Sequence, residues 1–85
     1  MMANPVKSVQ DPCAGNGQCL LVSIMEMTEH ETAIGRAALV VAEVLDAQNN
    51  AREHVLPIPP LVSLRGEMTS LLRSIYGATT DVLFA

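Results

Sequence analysis

The sequence predicts a small α+β domain that is mainly α: a two-helix hairpin with one or two short strands, associating as a dimer. Three observations carry that prediction. Thr28 and Glu31 stand three apart before an apolar run, so the threonine oxygen can accept from an orphan amide while the glutamate reaches back to the Thr28 amide, a reciprocal helix cap. Ile34, Ala37, Ala38, Val41, Val44 and Leu45 then recur at the three-and-four spacing of a buried helical stripe. A second stripe, Leu61, Leu64, Met68, Leu71, Leu72 and Ile75, starts after Pro59-Pro60 and stops at Gly77, the residues suited to open and close a helix.

Taken in chain order, residues 1–18 hold Pro5, Pro12, Gly15 and Gly17 with no apolar period, and read as a flexible tail because they bury too little to offset ordering entropy. Residues 19–85 form the single domain. Residues 19–27 admit two readings. With period two, Leu21, Ser23 and Met25 face one way and Leu20, Val22, Ile24 and Glu26 the other, as in a strand. With period 3.6, Leu20, Ile24, Met27, Glu31, Ile34, Ala38, Val41 and Leu45 make one continuous seam, as in a long helix. The cap at Thr28 favours a strand at 20–26 followed by a helix at 29–48. Leu39, Val40 and Ala42 spread that helix's apolar arc beyond one stripe, and Gly35 costs it about 1 kcal/mol relative to Ala. Asn49-Asn50 ends it. Residues 51–60 connect, with an extended piece at 54–58 where Pro57 and Pro59 push their predecessors out of helical geometry. The second helix covers 61–76, and residues 79–84 have strand composition, able to pair with 20–25 or to dock as a tail.

Eighty-five residues make one small domain with a thin core, built without Trp and with one Tyr and one Phe. Only 16% of residues are charged, so apolar surface is expected to stay uncovered on a monomer, and a large exposed patch points to a partner. The first helix, apolar on more than one side, places that patch at Leu39, Val40 and Val44, the expected homodimer interface. A formal charge of -4 disfavours nucleic acid, which needs a basic face. No run approaches the roughly 20 apolar residues of a membrane span, and residues 1–18 lack a secretory core, so a cytoplasmic protein is expected. In that compartment Cys13 and Cys19 read as free thiols, Cys19 as a buried one.

The one dense ionisable cluster is Glu26, Glu29, His30 and Glu31. On a helix Glu26 and His30 would share a face, a spacing usable for a metal or a general base, but acids in a first helical turn chiefly complement the helix dipole. Cys13 with His30 or His54 lacks any local nucleophile signature, and the two Cys and two His lack zinc-ligand spacing. Gly15-Asn16-Gly17 lacks the Lys-Ser/Thr of a phosphate loop. Arg65 and Arg73 read as the solvated side of the second helix, and Met25 and Met27 as core filler.

The chain resembles an uncharacterised family of small bacterial proteins in which a Leu-Phe-x-Val-like strand leads through an acidic turn into an Ala-Leu-x-x-Ala-Ala helix, with Glu-Met-x-x-x-Leu on a later helix. The residues that carry the resemblance are Leu21, Val22 and Ile24, then Glu31, Ala33, Ile34, Ala37, Ala38 and Val41, then Glu67, Met68 and Leu72, spanning roughly fifty residues. Met27-Thr28 departs from the Gly-Val or Val-Pro of that family's turn. The resemblance implies a small helical fold with no assigned activity. The expected function is a non-catalytic protein-interaction or regulatory module that needs no cofactor and no metal, acts through an apolar helix face and self-associates. The alternative is a small thiol- or metal-dependent enzyme built on Cys13, Cys19, His30 and His54.

Overall fold

The structure, a computed structural model, describes residues 18–85. Among them the elements run β1 (Cys19–Thr32), β2 (Gly35–Leu45), β3 (Ala51–Ile58), α1 (Leu64–Tyr76) and β4 (Asp81–Phe84). The four strands form one mixed sheet in the order β3-β2-β1-β4, with β1, β2 and β3 antiparallel in succession and β4 parallel to β1. The domain is therefore mainly β, which corrects the expected mainly α, two-helix, small helical domain. The expected tail at 1–18 lies outside the described residues except for Gln18, whose carbonyl accepts from the Asp81 amide at 2.8 Å.

The correction concerns residues 29–48. They are not a helix: they are the end of β1, a two-residue turn, the whole of β2 and the start of the turn that follows it. An apolar arc too wide for one helical stripe is what a strand with apolar residues on both faces looks like when read at the wrong period. Val40, Ala42 and Val44 are buried at period two, whereas Leu39 before them and Glu43 between them are exposed. Val40, Val41 and Val44 are also β-branched, at ease on a pleated surface and stiff in a helix. Gly35, tolerated at a cost inside a helix, sits at φ 139 where the hairpin turns, a conformation side-chain-bearing residues avoid. Thr32, rather than Thr28, makes the local polar turn: its hydroxyl donates to the Gly35 carbonyl at 2.7 Å and accepts from the Ile34 amide at 3.3 Å.

The core lies between one face of the sheet and α1. Leu20 and Val22 of β1, Val40, Ala42 and Val44 of β2, and Leu56 and Ile58 of β3 meet Met68 and Leu72 of the helix. Each of these side chains larger than Ala42 contributes about 1.5–3 kcal/mol by leaving water. The helix begins three residues later than its apolar stripe, because Ser63 is the cap: its oxygen accepts from the Gly66 amide at 3.3 Å. Its other end is closed by the Gly77 amide donating to the Arg73 carbonyl at 2.8 Å. Arg73 in turn donates to the carbonyl of the buried Thr80 at 2.9 Å, which fixes the entry into β4. Since β3 and β4 are the two outer strands, α1 crosses one face of the sheet to join them.

Candidate functional site

Strand alternation separates the three residues expected to share an interface. Val40 and Val44 are buried under α1, while Leu39 is 44% exposed on the opposite face. The expected helix face therefore does not exist, and of the three only Leu39 can meet a partner.

The ionisable candidates are dispersed as well. His30 pairs with Ala37 and His54 with Ala42, five residues apart along β2, an odd number that puts them on opposite faces of the sheet. Glu26 and His30 share a face, but four residues of strand separate them by about 13 Å, too far to hold one ion. His54 is committed elsewhere: its Nε2 lies 2.7 Å from the Tyr76 hydroxyl, with the rings edge to face at 5.6 Å. Cys19 is joined in a disulfide, which corrects the free thiol expected there, and Cys13 lies outside the described residues. No group of three or more His, Cys, Asp or Glu among the described residues is placed to hold a metal ion. Arg65 sits 5.4 Å from the centre of the Phe84 ring, and Arg73 serves Thr80, so the two arginines of the helix act in packing.

A polar hollow of about 450 Å³ opens beside the β2–β3 turn, lined by Gln18, Cys19, Asp46, Asn50, Arg52 and Tyr76 among others. Its carboxylate is already employed. Asp46 accepts from the Asn50 and Gln48 amides, both at 2.9 Å, and the Asn50 backbone bond foremost holds its carboxyl below the ordinary value of 3.8. Asn49 takes a positive φ of 65 at the corner so closed. The hydroxyl of Tyr76 is taken by His54. With its acid capping a turn and its phenol bonded to a histidine, the hollow presents no nucleophile beside a base.

The feature that sequence reading missed is an arm. β4 pairs only with residues 19–22 of β1, and β3 only with residues 38–45 of β2. Beyond residue 22 the outer edge of β1 is unpaired, and the β1–β2 hairpin runs on to its turn, backed by β3 only as far as Ala38, with Ile24, Met25, Met27, Ile34 and Leu39 exposed. Among the described residues, no strand pairs with the outer edge of β1 from residue 23 to residue 32. Apolar residues on both faces of 19–27 were the available signal, masked by the apparent cap at Thr28.

No family model matches this chain, and neither a curated protein nor a solved structure matches it. The resemblance to the small bacterial family therefore rests on the residues quoted for it. No helix among the described residues is long and apolar enough to cross a membrane.

Proposed function

We propose that this chain is a non-catalytic protein-interaction module whose working surface is the β1–β2 arm. The observation that carries the reading is the arm's combination of an unpaired backbone edge with exposed Ile24, Met25, Met27 and Leu39. An open edge offers a row of amides and carbonyls that another strand can pair with, and apolar neighbours add burial to that pairing. Folding gains little from leaving five large aliphatic side chains in water, whereas binding gains by covering them. The charge of -4 and the structural employment of Arg65 and Arg73 favour a protein partner over a nucleic acid.

Against the enzymatic alternative stand the disulfide at Cys19 and the opposed faces of His30 and His54. The same disulfide weighs toward an oxidising setting and against the cytoplasmic one read from the sequence, since cytosolic thiols are kept reduced. The test is binding by the intact chain and by Leu39→Glu, whose exposed position lets the fold survive. Loss of association, with itself or with a partner, at unchanged circular dichroism is the expected result. Association that is the same for both proteins, or absent from the intact one at high micromolar concentration, contradicts the reading.

A further inference from the structure

We propose that the occupant of the open β1 edge is a second copy of the same edge, paired antiparallel about a two-fold axis at Thr28, so that two sheets join into one. This inference rests on the reading of the arm as a protein-binding surface and specifies its partner.

Edges are normally protected by proline, lysine, bulges or unpaired charge. The two edges of this sheet differ in that respect. The β3 edge carries Pro57, which has no amide to donate, together with Arg52 and Glu53. Residues 23–32 of β1 contain no proline, no lysine and no glycine, and their one bulge, between Ile24 and Glu26, leaves a regular strand from Glu26 to the turn. Three glutamates remain as the deterrent. Two of them are neutralised within the chain, because Arg36 of β2 bridges to Glu29 at 3.2 Å and to Glu31 at 3.4 Å.

The register follows from the third. Antiparallel strands related by a two-fold normal to the sheet must oppose residues that share a face, so the residue numbers of each opposed pair have an even sum along the regular strand. Centred on Thr28, that sum sets Glu26 against His30 of the second copy, twice by symmetry, and Thr28 against its own equivalent. Glu29 then faces Met27 and Glu31 faces the bulged Met25, so no two glutamates are opposed. Moving the axis one residue toward the turn would set Glu29 against itself. The spacing of Glu26 and His30, too long for a shared ligand, is the spacing that makes them reciprocal partners here. α1 would lie on the same side of both halves, and the aliphatic side chains of the arms would come together along the seam.

Sedimentation equilibrium of the full chain is expected to show a concentration-dependent dimer of twice the 9.1 kDa subunit mass. Glu26→Arg and His30→Glu should each weaken it on the order of 2- to 30-fold, two cross-strand pairs being altered in each case, and the double variant should recover most of the loss. The axis is tested separately. Thr28→Cys should cross-link under mild oxidation, because residues facing each other across antiparallel strands fall within disulfide reach, whereas His30→Cys, about 13 Å from its equivalent, should not. Both positions are exposed, so circular dichroism should report an unchanged fold. A dimer lost on Leu39→Glu but indifferent to both charge reversals, or cross-linked equally through residues 28 and 30, overturns the edge pairing while leaving the interaction reading intact. A monomer at high micromolar concentration overturns the self-pairing, and if Leu39→Glu then alters no association of any kind, the interaction reading falls with it.

Discussion

The base of the sheet and the arm that projects from it are made of the same two strands, and they live under different rules. At the base, β1 and β2 have a strand on each side and α1 across one face, and Leu20, Val22, Val40 and Val44 are all buried. In the arm β1 has only β2 beside it, and every side chain of β1 beyond Ser23 is exposed. Only the end of the hairpin, residues 30–32 against 35–37, stands as a two-stranded ribbon, which is marginal by itself in water and holds its shape by continuity with the base. The difference teaches that burial along β1 is local, with Leu20 and Val22 buried and every side chain beyond Ser23 exposed.

That comparison can be broken most severely at the base. Leu72→Ala removes a fully buried side chain from the contact of α1 with the sheet and is expected to cost about 2–5 kcal/mol, read from urea unfolding. Met27→Ala, opposite Val40 on β1 but with a side chain 44% exposed, should change stability by about 0.5 kcal/mol or less. Equal losses from the two would dissolve the distinction between base and arm.

The turn at the end of the arm gives the next effect. Gly35 holds φ 139, and a Cβ placed there would come within 3.2 Å of Pro60 Cβ, so Gly35→Ala should cost about 1–3 kcal/mol in the same unfolding measurement. Within the arm, Arg36→Ala removes two exposed ion pairs and should cost about 1 kcal/mol or less, a loss that shrinks as salt is added.

The smallest effect returns to the base. The folded state holds the Asp46 carboxyl below its ordinary value, chiefly through the Asn50 amide, so the unfolded chain binds more protons in that range and stability rises with pH across it. The contribution is complete above the ordinary value of 3.8 and disappears as pH falls through the lowered one. Thermal midpoints of the intact chain and of Asp46→Ala should therefore differ at neutral pH and converge in acid. A gap that stays constant through that range would show that the turn hydrogen bonds do not depend on the ionised form.

Much of the base was legible from residues alone. The stripe from Leu64 to Leu72 and Gly77 mark the helix, although its start was read at residue 61 rather than after the Ser63 cap, and Asp81–Phe84 pairs with the start of β1 as its composition allowed. The arm was not legible, because Ile34, Ala37, Ala38, Val41, Val44 and Leu45 satisfy helical spacing while Val40, Ala42 and Val44 satisfy a strand, and local pattern cannot arbitrate between them. What decides is the partner. β3, distant in sequence from the stripe, brings Leu56 and Ile58 alongside β2, and Gly35 within it supplies the reversal. The interface residues divided for the same reason: Leu39 stayed at the surface, and Val40 and Val44 went to the core. Glu26 and His30 were noticed for a shared helical face and do share a face, but on a strand their separation suits two copies better than one ion.

The most direct test of the central claim is amide hydrogen exchange along β1 at two protein concentrations, far below and far above the association midpoint. Residues 21 and 22, paired on both sides, should exchange slowly at either concentration. The amides of residues 26–32 that point away from β2 should exchange freely in the dilute sample and become protected in the concentrated one. Exchange at those positions that is fast, or slow, to the same degree in both samples would contradict an arm that presents an open edge and closes it by association.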